Sequence, residues 1–192
     1  MKKLLVSAAL AASLIAPSAV SAQTIPAAVI AVVDLDRVTR DCNACKTASA
    51  TLRGQLTALQ NQQKTLASPL ETERKSIQAA IDALKGAQPD AALQARAQAF
   101  QGKYQQAQQQ LERQEQQIQR NQQFVAQQIR EKLGPIYQQV MQRRGANVLL
   151  EMGSTLATTA GVDVTNDVLA GLNTALPTVR TTAPAQTQPQ GR

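Results

Sequence analysis

The chain has 192 residues, with 20 Lys and Arg against 13 Asp and Glu, for a formal charge of +7. Two Phe, two Tyr and no Trp leave little for base stacking, which argues against nucleic acid as a partner. With two Cys and no His, a single copy cannot supply the about four ligands of a zinc site, so zinc is open only between subunits.

Met1-Lys2-Lys3, the apolar run over residues 4–16, Pro17 and the small residues Ser18 to Ala22 read as a secretory signal peptide over residues 1–22. Val20 and Ala22 stand at the −3 and −1 positions of a cut near Ala22. The run falls short of the about 20 apolar residues of a membrane span. The mature chain is therefore expected outside the cytoplasm, in a bacterial periplasm. Its charge is uneven: residues 46–144 hold 14 Lys and Arg against 7 Asp and Glu, while 23–45 and 145–192 each come to −1. A basic middle of this kind suits anionic partners, although much of it reads equally as a solvated helix surface.

In chain order, VIAVVD (Val29 to Asp34) is a continuous apolar run suited to a buried strand, and Asp34 or Asp36 then starts a helix toward Val38. CNAC (Cys42 to Cys45) follows, placed as a thioredoxin-type redox pair would be, between strand and helix. No second βαβ unit comes after it. A structural role is expected instead, either as a local disulfide or as two free thiols.

From Leu52 the apolar residues recur at alternating steps of four and three: Leu52, Leu56, Leu59, Gln63, Leu66, Leu70, Glu73, Ile77, Ala80, Leu84. A second series runs Leu93, Ala97, Phe100, Tyr104, Ala107, Leu111, Gln114, Ile118, Asn121, Val125. Both are heptad seams, and the many glutamines between their members are good helix formers on the outer positions. The turn lies near 86–91, where GAQPDA offers a Gly stop, a Pro and an Asp cap. Folding there brings residues whose numbers sum to 177 face to face, so the spacing predicts an antiparallel coiled-coil hairpin over 46–144. Glu73 opposite Tyr104 and Leu56 opposite Asn121 are its weak points. Pro69 should kink the first arm, and Gly134-Pro135 the base of the second. These are candidate hinges, read either as tolerated imperfection or as built-in flexibility.

Beyond the hairpin, 146–151 and 154–159 read as a β-hairpin turning at Met152-Gly153. DVTNDVLAGLN (Asp163 to Asn173) reads as a short helix capped by Thr165, with Val168, Leu169 and Leu172 on one face. The Pro, Thr and Gln content of residues 178–192 predicts a disordered tail. Residues 23–45 and 145–177 thus form a two-part head of 56 residues, small enough that self-association is expected to complete its core and cover its sheet edges. The fold class is α+β, a long helical hairpin on a small head.

The strand VIAVVDLDRV, the charged helical hairpin, RGANVLLE, DVTNDVLAGLN and a short tail together resemble the Skp (OmpH) family of periplasmic chaperones across residues 29–177. The resemblance implies a jellyfish-like homotrimer with a β-rich oligomerisation body and three helical tentacles. Such a protein holds unfolded outer-membrane proteins without ATP, preventing their aggregation during transit and outer-membrane assembly. It implies no catalytic residue, cofactor or metal. Lys75, Lys85 and Arg96, toward the hairpin tip, are candidate client-attracting residues, and lipopolysaccharide or an anionic membrane surface is a further partner for such charge. The alternatives are a structural or adaptor coiled coil of the envelope and, from CNAC alone, a thiol oxidoreductase.

Overall fold

A computed structural model describes residues 25–185; the signal peptide expected at 1–22 and the tail beyond 185 lie outside the described residues. In order come strand β1 (Ile30–Val33), helices α1 (Leu35–Asp41), α2 (Asn43–Ala83) and α3 (Ala91–Arg144), strand β2 (Val148–Glu151), two single 3-10 turns (Met152–Ser154 and Ala160–Val162) and helix α4 (Thr165–Ala175).

The helix ends follow local capping chemistry. An Asp34 carboxylate oxygen accepts the Arg37 N–H at 2.8 Å and opens α1. Asp90 does the same for α3 through the Leu93 N–H, also at 2.8 Å. In the turn before it, Lys85 and Gly86 adopt φ of 48° and 96°. Glycine enters that left-handed region freely, and lysine does so at a cost. Gly145, at φ 66°, stops α3, its N–H turned back to Gln142 and that of Ala146 to Met141.

Helices α2 and α3 touch along their length. Asn121 bonds Gln55 toward the head, and Arg96 bonds Glu73 toward the turn between the helices. Leu59, Ile77, Ala107, Ile118 and Val125 are buried along these helices. Two seam pairs differ from those read by spacing. Leu56 is 39% exposed and Gln55 faces Asn121 in its place; Tyr104 is 47% exposed and Glu73 turns to Arg96 instead. Asn121 is buried, and a buried amide needs a polar partner, which leucine cannot offer. Both helices are assigned without a break through Pro69 and Pro135. Each proline leaves a carbonyl unbonded four residues earlier, at Thr65 and Glu131, and both of those residues face solvent.

In the head, β1 lies between two neighbours. It pairs in parallel with β2, Ile30 opposite Val148, and on its other side the Val164 N–H bonds the Val32 carbonyl at 2.9 Å. The β-hairpin expected over 146–159 is therefore not formed. Ala31, Val32 and Val33 are all buried, and β2 supplies their cross-chain partner, while Met152–Ser154 winds into a 3-10 turn and Leu156 stands fully in solvent. Such a turn lacks the twist that folds a strand back on itself. Thr165 also departs from its expected role as a cap. Its hydroxyl is fully buried and accepts the Asp34 N–H at 2.9 Å, joining the strand end to α4, while Asp163 receives the Thr165 N–H at 2.8 Å.

The expected β-rich body is mainly helical in this single chain, since its sheet has two strands of four residues among those described. Its core is built on Val38, Cys42, Val140, Val168 and Leu172, all without accessible surface. Val125, Ile129, Leu133 and Ile136 of α3 join it, with Ala44, Cys45 and Ala48 of α2, so about the last fifth of the expected 46–144 hairpin packs into the head. The cause is length. With 54 residues against 41, α3 outlasts α2, and its apolar stripe continues onto α4. Gly171 permits the close approach of α4: a Cβ there would stand 2.9 Å from Ile136 Cγ2.

Candidate functional site

The α2–α3 pair, from its far part down to the head, presents a wide polar surface broken by shallow open grooves. One, of about 600 Å³, runs between Leu66, Leu70, Phe100, Ala107 and Leu111, with Glu71 and Arg74 at its edge. Pro69 borders a second of about 400 Å³ beside Lys103 and Gln106. Gly134 lines a third of about 620 Å³, with Leu35, Val125, Ile129 and Tyr137. Pro135 faces α4 across a fourth, of about 490 Å³, that includes Gly171. The candidate hinges are thus spread over separate grooves and do not form one site.

The three candidate basic residues also differ in setting. Arg96 holds Glu73 through two hydrogen bonds, at 2.7 and 3.1 Å, and Ser76 at 2.8 Å. This clasp draws Glu73 below the ordinary carboxylate pKa. Lys75 lies 3.4 Å from Glu71, whose pKa falls to about 2, chiefly through its hydrogen bond with Arg74. Lys85, in the turn at the tip, forms no salt bridge among the described residues. Its charge alone of the three is unspent.

Cys42 and Cys45 are joined in a disulfide with Cα atoms 5.1 Å apart. Both are buried, at 0% and 3% exposure, and the Cys42 sulfur also accepts the Cys45 N–H at the start of α2. An attacking thiolate must reach a sulfur. Burial denies that reach.

The tail holds the feature that sequence reading missed. Residues 178–185, expected to be disordered, lie along the base of the long helices. Gln128 brackets Arg180, its Nε2 donating to the Arg180 carbonyl at 2.8 Å and its Oε1 accepting the Arg180 N–H at 3.1 Å. Asn121 Oδ1 accepts the Ala183 N–H at 2.8 Å, and Gln55 Nε2 donates to the Thr181 carbonyl at 3.4 Å. The Arg180 guanidinium stands 5.6 Å from the centre of the Phe124 ring, within cation–π range. Leu176 and Val179 anchor the segment on the head core. Composition suggests disorder because the segment has little to bury, but side-chain amides here supply the hydrogen bonds that water otherwise would. The available signal was Asn121, a polar residue at a seam position.

A family model described as outer membrane protein (OmpH-like) matches residues 29–172. This chain belongs to the OmpH-like family. A solved structure of a candidate outer membrane chaperone (OmpH-like) from Caulobacter crescentus CB15 is similar to the OmpH-like chain with a TM-score of 0.68 at 19% identity. The likeness covers 88% of this chain and 99% of that one, and at that identity it speaks to the fold. Among curated proteins no match was found. Within the OmpH-like span lie the disulfide, both prolines, the tip turn and the amides that hold the tail; the docked segment itself follows it. No helix among the described residues is long and apolar enough to cross a membrane.

Proposed function

We propose that this OmpH-like chain is an ATP-independent periplasmic holdase that keeps unfolded outer-membrane proteins from aggregating on their way to the outer membrane. The observation that carries this reading is a pair of long helices, packed on each other along their length, whose outer surface is polar and whose grooves are shallow. A deep pocket selects one ligand shape. A long lever with many weak contacts suits a client that has no fixed shape. In this reading α2 and α3 act as one antiparallel coiled-coil tentacle, and three copies join at their heads to enclose the client. The OmpH-like membership and the description of the Caulobacter structure support it. Among the described residues β2 has no strand on its outer side, and Leu150 of β2, Ile30 of β1 and Leu156 after β2 are exposed, which supports the association of copies.

The direct experiment is dilution of a urea-denatured outer-membrane β-barrel protein into buffer without nucleotide, followed by light scattering. Near-stoichiometric protein should suppress the scattering. Scattering unchanged by its presence would reject the holdase.

A further inference from the structure

The tail is held in an unusual way. Gln128, Asn121 and Gln55 contact only the backbone of residues 180–183: two N–H groups and two carbonyls. The Arg180 side chain adds its stacking on Phe124. Asn121 is itself fixed for this task. It is 4% exposed, its Nδ2 donates to Gln55 at 2.9 Å, and Gln117 donates to its Oδ1 at 2.8 Å. Gln128 is steadied by the Phe124 carbonyl at 3.1 Å. The row of amides is therefore preorganised, and what it recognises is extended main chain.

Main-chain recognition carries little sequence information, as in peptides that add a strand to a sheet edge. We propose that this amide row is a binding site for extended segments of unfolded polypeptide, occupied here by the chain's own tail, which a client displaces. The proposal rests on the holdase reading and adds where on the molecule a client is gripped. A tethered segment is present at an effective concentration on the order of millimolar. The tail thus covers the row against dilute peptides, yet a client enclosed beside it competes at a similar local concentration. The tail is also a weak occupant. Pro184 follows Ala183 directly and has no N–H to extend the row.

The test uses the full-length protein. Arg180→Pro removes one tail N–H and the stacking on Phe124 while leaving the row intact. Stopped-flow capture of a denatured outer-membrane protein should then accelerate about two- to tenfold, the range that one net hydrogen bond sets. Adding Gln128→Ala should cancel the gain. In the unaltered protein, client addition should speed amide exchange at Arg180 and Ala183. A client held without aggregation while those two amides exchange as before would overturn the proposal. So would an Arg180→Pro protein that melts earlier but captures at the original rate, because the tail would then be a structural clamp. If no client is held at all, the holdase reading itself falls. A labelled peptide of residues 178–185 then decides the site: it should bind Arg180→Pro protein better than the same protein with Gln128→Ala, and equal binding rejects the row.

Discussion

Asp163 shows how one carboxylate fastens the head. Burial works to raise its pKa, but hydrogen bonds from the Thr165 side chain and backbone, with the charge of Arg37, outweigh this and hold it below the ordinary 3.8. A depressed carboxylate pKa stabilises the fold above the unfolded value, and that stability is lost as pH falls through the folded one. Melting temperature followed by circular dichroism should therefore be nearly flat from neutral pH to about 5 and fall below about 4. Asp163→Asn should melt lower at neutral pH and lose part of that acid slope; an unchanged slope would show that Asp163 is not a source of it. The disulfide offers a second check at this scale. Closing so short a loop is worth about 2 kcal/mol by chain entropy, so Cys42→Ala with Cys45→Ala should lower the melting temperature while client holding persists. Client holding that fails with the head still folded would give the pair a direct role. The cysteine pair was visible in the sequence, whereas the work of Thr165 was not. A Thr before a helix signals a cap, and nothing local reveals that a strand 131 positions away claims its hydroxyl.

Helices respond to glycine according to what lies beside it. Gly54 is exposed in α2, and a Cβ added there would meet nothing within 4 Å, so Gly54→Ala should raise stability by about 1 kcal/mol through helix propensity. Gly171→Ala carries the same propensity gain but drives a methyl against buried, β-branched Ile136, an overpacking cost of about 1–3 kcal/mol. Chemical denaturation should show opposite signs for the two, and stabilisation by Gly171→Ala would mean that α4 shifts freely on α3. Pro69→Ala restores a bond to the Thr65 carbonyl and should stabilise α2 by up to about 3 kcal/mol. If that proline serves client enclosure, the stabilised variant should hold fewer kinds of client. The long helices were legible because the 4–3 spacing of Leu59, Ile77, Ala107 and Ile118 is a local property. Where α3 stops being an arm and becomes part of the head was not legible, since its apolar stripe continues unchanged from Val125 to Val140 while its partners change.

For the whole molecule, the sheet is where sequence reading was weakest. Both strands were short apolar runs, and 146–159 paired most simply with itself; the true partner of β2 is set by topology across the entire hairpin. A two-stranded sheet of this size is marginal alone, and the open β2 edge is where we place the association of three heads. Sedimentation equilibrium at micromolar concentration should give a trimer, and replacing Leu150 by Lys should shift it toward monomer. A monomeric unaltered protein would refute the assembly. Charge acts at this scale too. With Arg96 and Lys75 engaged by carboxylates of their own helix pair, Lys85→Gln should slow client capture more than Lys75→Gln. The difference should shrink as salt screens charges beyond about 8 Å.

The parallel pairing of Ile30 with Val148 has a consequence in time as well as in space. Strand β1 has its partner 118 residues further along the chain, and contacts that span so much chain form slowly because loop closure must come first. Helices α2 and α3 need only each other and the turn between them, so they should form early, bringing the Gly145 end of α3 back toward β1 and shortening the gap the strands must close. Refolding from denaturant should accordingly show fast recovery of helical signal, followed by slower burial of Tyr137, which packs against the head core. Lengthening the turn near residues 84–90 should slow the second phase through the first. The two long helices would then also be the device that brings β1 and β2 together.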